Sequence, residues 1–164
     1  MATRRPARGT SPSKEYVGLS STYAIPDSTM ESRDLPAGSA THTISGGVVY
    51  LKYSGMVTAE ILIAMREQFI SDPAFAPGMS FLVDFREASL LELDEGALRR
   101  VSAHGRAIGS EWGAHRSAVV APSDLEFGVS RIFAVIGERP GLELQVFRDL
   151  ASASQWLAET EPSD

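Results

Sequence analysis

The chain has 164 residues, with 15 Lys and Arg against 21 Asp and Glu, three His, no Cys and 43% hydrophobic residues. That length and composition suit one ordinary soluble domain with a core of its own, and the missing Cys excludes thiol catalysis, thiolate metal sites, iron–sulfur ligation and thiol redox switching. A formal net charge of -6 argues against nucleic-acid partners, whose binding is driven by basic charge, and no window of about 18 continuous apolar residues is present to span a bilayer.

Residues 1–38 read as a flexible tail. They are rich in Ser, Thr, Pro, Arg and Gly, and their apolar residues (Tyr16, Val17, Leu19, Tyr23, Ile25) keep no period, so they bury too little to offset the entropy of ordering. Arg4, Arg5, Arg8 and Lys14 are not followed by an apolar stretch of the kind a cleaved secretory signal needs. Met30 is a second plausible start. The regular pattern covers 39–160, leaving 161–164 as a C-terminal end. Through Leu35 there are five basic and four acidic residues, which leaves ten against seventeen in the domain.

Two β-prone runs, Ala40 to Ser45 and Val48 to Ser54, flank Gly46-Gly47, a pair that tolerates the positive φ of a tight hairpin. Thr58 is positioned to cap a helix with Glu60 in its first turn, and Ile61, Leu62, Met65, Phe69 and Ile70 recur at helical spacing as its buried face. Asp72-Pro73 ends it. Phe81 to Phe85 is an almost wholly apolar run of the type a central parallel strand shows. Asp94 caps a second helix with Ala97, Leu98, Val101, Gly105 and Ile108 inside, and Ser117 to Ala121 forms another core strand.

Ser123-Asp124-Leu125-Glu126 fits a capping box. The helix it opens carries Leu125, Val129, Ile132, Phe133 and Ile136 on one side. Leu142 to Phe147 alternates like a strand near a sheet edge, and Asp149 caps a last helix bearing Leu150, Ala153, Trp156 and Leu157. The order β-β-α-β-α-β-α-β-α predicts an α/β fold with an opening hairpin, a mixed and mostly parallel sheet of four to five strands, and four helices.

The element order, together with Leu82-Val83-Asp84-Phe85-Arg86, Ala121-Pro122-Ser123-Asp124-Leu125-Glu126-Phe127-Gly128 and Val146-Phe147-Arg148-Asp149-Leu150-Ala151, resembles the SpoIIAA-like bacterial proteins of the STAS superfamily. What the resemblance implies is a sheet with helices on its faces, in a family whose better-known relatives bind proteins, nucleotides or lipids rather than catalyse reactions. Relatives that antagonise anti-sigma factors carry a phosphorylated Ser or Thr in an Asp-Ser-Ser-Gly-Leu type motif. Here the corresponding place reads Asp94-Glu95-Gly96-Ala97-Leu98, with Glu95 at the phosphoacceptor position, so a kinase switch there is not expected.

No catalytic, cofactor or metal site assembles from the residues themselves. No Gly-rich phosphate loop follows a strand, no Gly-x-Ser-x-Gly elbow exists, and His42, His104 and His115 lack metal-ligand spacing. Ligands in open parallel sheets favour the carboxyl ends of the strands, which present Ser54, Arg86, Ser123, Asp124, Arg148 and Asp149, but acidic residues at the helix starts compete with an incoming anion. An enzyme built on Asp84, Arg86 and His104 is the weakest of three readings, since Asp84 paired with an arginine is ordinary structure. Arg86, Arg99, Arg100, Arg106 and Arg116 read as the solvated side of an amphipathic helix and its surroundings.

The leading expectation is therefore a non-enzymatic, cytoplasmic regulatory or protein-binding domain needing no cofactor. Its candidate surface is Arg86, Ser89, Asp94, Glu95, Arg99 and Trp112, the last either a contact residue or a lid on the core. The alternative is a carrier of a small apolar ligand or lipid in a cavity between sheet and helices, lined by residues such as Phe69, Phe75, Met79, Phe81 and Phe85.

Overall fold

A computed structural model describes residues 14–15 and 36–159. Residues 1–13, 16–35 and 160–164, and with them Met30 and most of the expected tail, lie outside the described residues. The strands are β1 (Lys14–Glu15), β2 (Ser39–Ser45), β3 (Val48–Met56), β4 (Ser80–Ser89), β5 (His115–Val120) and β6 (Leu142–Phe147). The helices are α1 (Ala59–Ile70), α2 (Glu95–Ala107), α3 (Gly109–Trp112), α4 (Asp124–Ile136) and α5 (Leu150–Ala158). The mixed, mostly parallel sheet and the element order agree with the sequence reading. To the four expected helices the structure adds the four-residue α3, and to the five strands the two-residue β1, which pairs antiparallel with the outer side of β2.

The sheet order is β1-β2-β3-β4-β5-β6. Gly46 and Gly47 take φ of 58° and 80°, as the two central residues of a tight hairpin turn require, and the hairpin sets Ser45 opposite Val48. From β3 onward every pairing is parallel. Each new parallel strand is added on the same side as the last, so crossovers of one hand put their helices on one face. There α1, α2 and α4 pack side by side, over a core that includes Val49, Leu51, Phe69, Phe81 and Val101. The other face carries α5 alone, over a small cluster of Leu82, Ala118, Val120 and Ala153.

Helix starts set by neighbouring residues form as expected. Thr58 Oγ1 accepts the Ile61 N–H at 3.3 Å, Asp94 Oδ1 accepts that of Ala97 at 2.9 Å, and Asp149 Oδ1 that of Ser152 at 2.7 Å. The start of α4 is a correction. Ser123 makes no side-chain cap bond; its hydroxyl donates to Glu126 Oε1, and Glu126 Oε2 accepts the Leu90 N–H at 3.1 Å. Glu126 is buried and Leu125 and Ile132 are exposed, while Val129, Phe133 and Ile136 pack against the core as expected, so the inward face of α4 is the expected one rotated to take in Glu126. A carboxylate that can satisfy a buried backbone N–H outweighs the exposure of a leucine.

Gly113 positions the segment that follows α3. Its φ is 79°, and a Cβ there would stand 2.8 Å from Gly78 N, the atom that donates to Trp112 O at 3.1 Å. Gly113→Ala is therefore expected to lower stability by about 1–3 kcal/mol through backbone strain, read as a lower urea midpoint with an unchanged slope.

Candidate functional site

Between the sheet and α1, α2 and α4 lies a cavity of about 90 Å³. Leu51, Phe81, Val83, Phe85, Leu98 and Val119 contribute to an apolar wall. Of the aromatics expected to line such a space, Phe69, Phe81 and Phe85 do, whereas Phe75 and Met79 pack against the core beside it. Into the same cavity project Arg66 from α1, Ser130 from α4, Arg139 from the α4–β6 loop and His115 from β5.

Arg66 is 8% exposed. Its Nη1 donates to Val101 O at 2.5 Å, and its guanidinium carbon stands 4.7 Å from the centre of the Trp112 ring. Burial pushes its pKa down to about 10, with Tyr53 opposing that shift and Arg139 adding to it, so Arg66 remains charged at neutral pH. Arg139 lies 5.2 Å from the same ring centre, its pKa lowered by burial and by Arg106. Among the described residues neither arginine pairs with a carboxylate.

Glycine on α2 lets the two guanidiniums approach. A Cβ at Gly105 would stand 3.4 Å from Nη1 of each arginine and 3.4 Å from the Trp112 ring. Both Nη1 atoms thus lie at one distance from a single point, no more than twice that distance apart. Trp112 is the common contact: it is 6% exposed, stacks on His115 at 4.7 Å between ring centres and meets Phe81 edge-on at 5.6 Å. His115 Nδ1 lies 2.8 Å from Gly113 O, an arrangement in which Nδ1–H donates and Nε2 carries the lone pair. Burial pushes the His115 pKa down to about 4, so the ring is neutral at pH 7. Trp112 Nε1, His115 Nε2 and Ser130 Oγ are buried without a hydrogen-bond partner among the described residues.

Of the candidate surface residues Arg86, Ser89, Asp94, Glu95, Arg99 and Trp112, Trp112 alone lines this site. Asp94 caps α2, and Glu95 pairs with Arg99 at 2.7 Å on its exposed side. Ser89 Oγ accepts the Leu91 N–H at 3.3 Å. Arg86 grips Asp84 through Nε and Nη2, each at 2.9 Å, and its N–H adds a third bond of 2.9 Å; the Arg86 bonds hold the Asp84 pKa below the usual carboxylate value against the opposing effect of burial. Strand alternation puts Asp84 and Arg86 on the α5 face, opposite Phe81, Val83 and Phe85. Trp112 is the lid of the core. The weakest reading, an enzyme of Asp84, Arg86 and His104, finds no common site: His104 Nε2 faces Glu67 at 3.5 Å, between α2 and α1.

The strand ends are closed by their own residues. Arg148 Nη1 donates to Pro122 O at 3.0 Å and to Asp124 Oδ1 at 2.7 Å. Because the strand order never reverses, the fold has none of the crevice that a switch point opens. His42 Nε2 meets Asp72 Oδ2 at 2.8 Å, tying β2 to the segment after α1. Among the described residues no cluster of three or more His, Asp or Glu is placed to hold a metal ion, and no helix is long and apolar enough to cross a membrane.

Sequence reasoning missed Arg66, Ser130 and Arg139. Helical arithmetic marks the first two: Arg66 follows Leu62 by four and precedes Phe69 by three, and Ser130 precedes Phe133 by three. Arg139 sits in a loop, where no period applies.

No family model matches the chain, and no curated protein matches it. Among solved structures it is similar to an uncharacterized protein of the DUF3478 family with a SpoIIAA-like fold, from Shewanella loihica PV-4. The two are 21% identical over 80% of this chain and 98% of that one, with a TM-score of 0.50. The fold of this chain is SpoIIAA-like, an α/β sheet with helices on both faces.

Burial of His115 has a consequence for stability. Its folded pKa of about 4 lies below the ordinary imidazole value of 6.5, so between those pH values the unfolded chain binds a proton that the native chain refuses. Stability contributed by the neutral ring is full above about pH 6.5 and falls as pH drops toward 4, by up to about 1.4 kcal/mol per pH unit. His115→Asn should remove this part of the acid sensitivity, measured as a smaller drop in urea midpoint between pH 7 and pH 5 than in the wild type.

Proposed function

We propose that this protein is a non-enzymatic binding domain of the STAS type that carries a small apolar ligand in the cavity under α1, α2 and α4. The observation that carries the reading is the cavity itself, walled mainly by apolar side chains and bounded by the sheet. Its volume bears comparison with an engineered apolar cavity of about 150 Å³ that binds benzene. Absent cysteines suit a reducing cytoplasm as its setting. A regulatory partner protein is the second reading, favoured by α4, which leaves Leu125 46%, Ile132 52% and Val135 72% exposed. The α2 surface supports it less, because Asp94, Glu95 and Arg99 already bond to the helix start or to each other.

Trp112 lines the cavity, and the second tryptophan, Trp156, lies on the opposite face against Phe147. A Trp156→Phe background therefore makes emission a reporter of the cavity. Titration with 1-hexanol or benzyl alcohol should shift Trp112 emission saturably. Val119→Phe, which fills the cavity at a cost of about 1–3 kcal/mol, should abolish the shift while circular dichroism stays native. A wild-type cavity that takes up neither alcohol defeats the reading.

A further inference from the structure

Resting on the ligand-carrying reading of the cavity, we infer that its occupant is an organic acid, a small apolar monocarboxylate whose carboxylate sits between Arg66 and Arg139 and whose hydrocarbon body lies against the apolar wall. The starting point is a buried charge with no carboxylate opposite it among the described residues. A buried cation is costly unless an anion or a full set of hydrogen bonds compensates it. Arg66 has one backbone acceptor, Val101 O, one ring face, Trp112, and Tyr53 close enough to favour its charged form, but no carboxylate among the described residues. A guanidinium offers five N–H donors in a fixed fork, so the Val101 bond leaves most of that fork to other acceptors.

A second cation strengthens the case. Arg139 comes within reach of the same point beside Gly105, and two like charges brought together in a half-dry space repel unless an anion lies between them. Ser130, Trp112 and His115 line the same cavity, and Ser130 Oγ, Trp112 Nε1 and His115 Nε2 are buried there without a hydrogen-bond partner among the described residues. The cluster is thus a head-group site at the polar end of an apolar chamber, the two-part shape of an amphiphilic acid.

Shape and charge narrow the class. Arginine forks pair with planar carboxylates through two parallel bonds, and one negative charge balances what Arg66 alone leaves open. At about 90 Å³ the chamber is smaller than the cavity of about 150 Å³ that takes benzene. That suits a short monocarboxylate, for which hexanoate and benzoate are upper-size probes, rather than a long-chain fatty acid or a membrane lipid.

The test compares an acid with its alcohol. In the Trp156→Phe background at pH 7, hexanoate should bind at least about tenfold more tightly than 1-hexanol, as a charge-assisted bidentate contact implies, and benzoate should beat benzyl alcohol likewise. Arg66→Met should bring hexanoate down to the affinity of 1-hexanol while leaving the alcohol bound, and it should raise Tm in the absence of ligand, because an unopposed buried charge has gone. Arg66→Lys, which keeps the charge without the fork, should retain part of the preference, and Arg139→Met should weaken hexanoate on its own.

Equal affinity for hexanoate and 1-hexanol in the wild type overturns the head-group assignment and leaves the apolar cavity standing. Failure of both to bind overturns the assignment and the ligand-carrying reading together. Tighter binding of hexyl phosphate than of hexanoate overturns the carboxylate class, and an undiminished preference in both Arg66→Met and Arg139→Met overturns the assignment of these arginines.

Discussion

The structure depends on fitting three helices over one face of a narrow sheet. Helices about 10 Å across, with axes about 8–10 Å apart, need roughly 28 Å for three, whereas the five longer strands β2 to β6, about 4.8 Å apart, offer roughly 20–24 Å. Sequential strand order forbids moving any of the three to the other side. α2 therefore takes the centre, α1 packs toward β2, and α4 packs on the edge strand β6 with Ile132 and Val135 in solvent. Side-chain and backbone bonds hold the three together: Arg100 on α2 reaches Glu60 on α1 at 2.6 Å, and Arg106 and Ser102 on α2 both donate to the last carbonyl of α4, Ile136 O, at 2.9 and 3.3 Å.

Such a roof does not close like a pure hydrocarbon core. Its inward side brings a guanidinium and a serine hydroxyl against aromatic rings and an imidazole from β5, and Trp112 makes this tolerable by giving Arg66 and Arg139 a polarisable surface and His115 a stacking partner. The backbone supports that ring from both sides of its own residue. Gly78 donates to the Trp112 carbonyl, and Gly113 takes a conformation in which a side chain would collide with that same turn.

What was legible in the sequence was whatever a few neighbouring residues decide among themselves. Thr58, Asp94 and Asp149 cap their helices because donor and acceptor lie three residues apart, and the Asp84–Arg86 pair spans two residues of one strand. The hairpin follows from Gly46-Gly47 in the same way. Ser123–Glu126 has the same local spacing, yet Glu126 is claimed by the Leu90 N–H, which belongs to another part of the chain. Arg66 and Ser130 were missed because a stripe read by apolarity skips polar residues even when their spacing puts them inside. Trp112 was ambiguous until its loop could be placed over the cavity.

The asymmetry of the two sheet faces makes the molecule separable. Phe81, Val83 and Phe85 point toward the cavity, while Leu82 points to the cluster under α5, so neighbouring residues of one strand serve layers that share no side chain. Substitutions more than about 7–10 Å apart without common partners combine additively. Stabilising changes on α5 itself, around Ala153 and beyond it, can therefore be accumulated without redesigning the opposite layer, whereas changes at Ala118 and Val120 couple to the cavity-lining Val119 between them; strength and selectivity are adjustable one at a time only from the helix side.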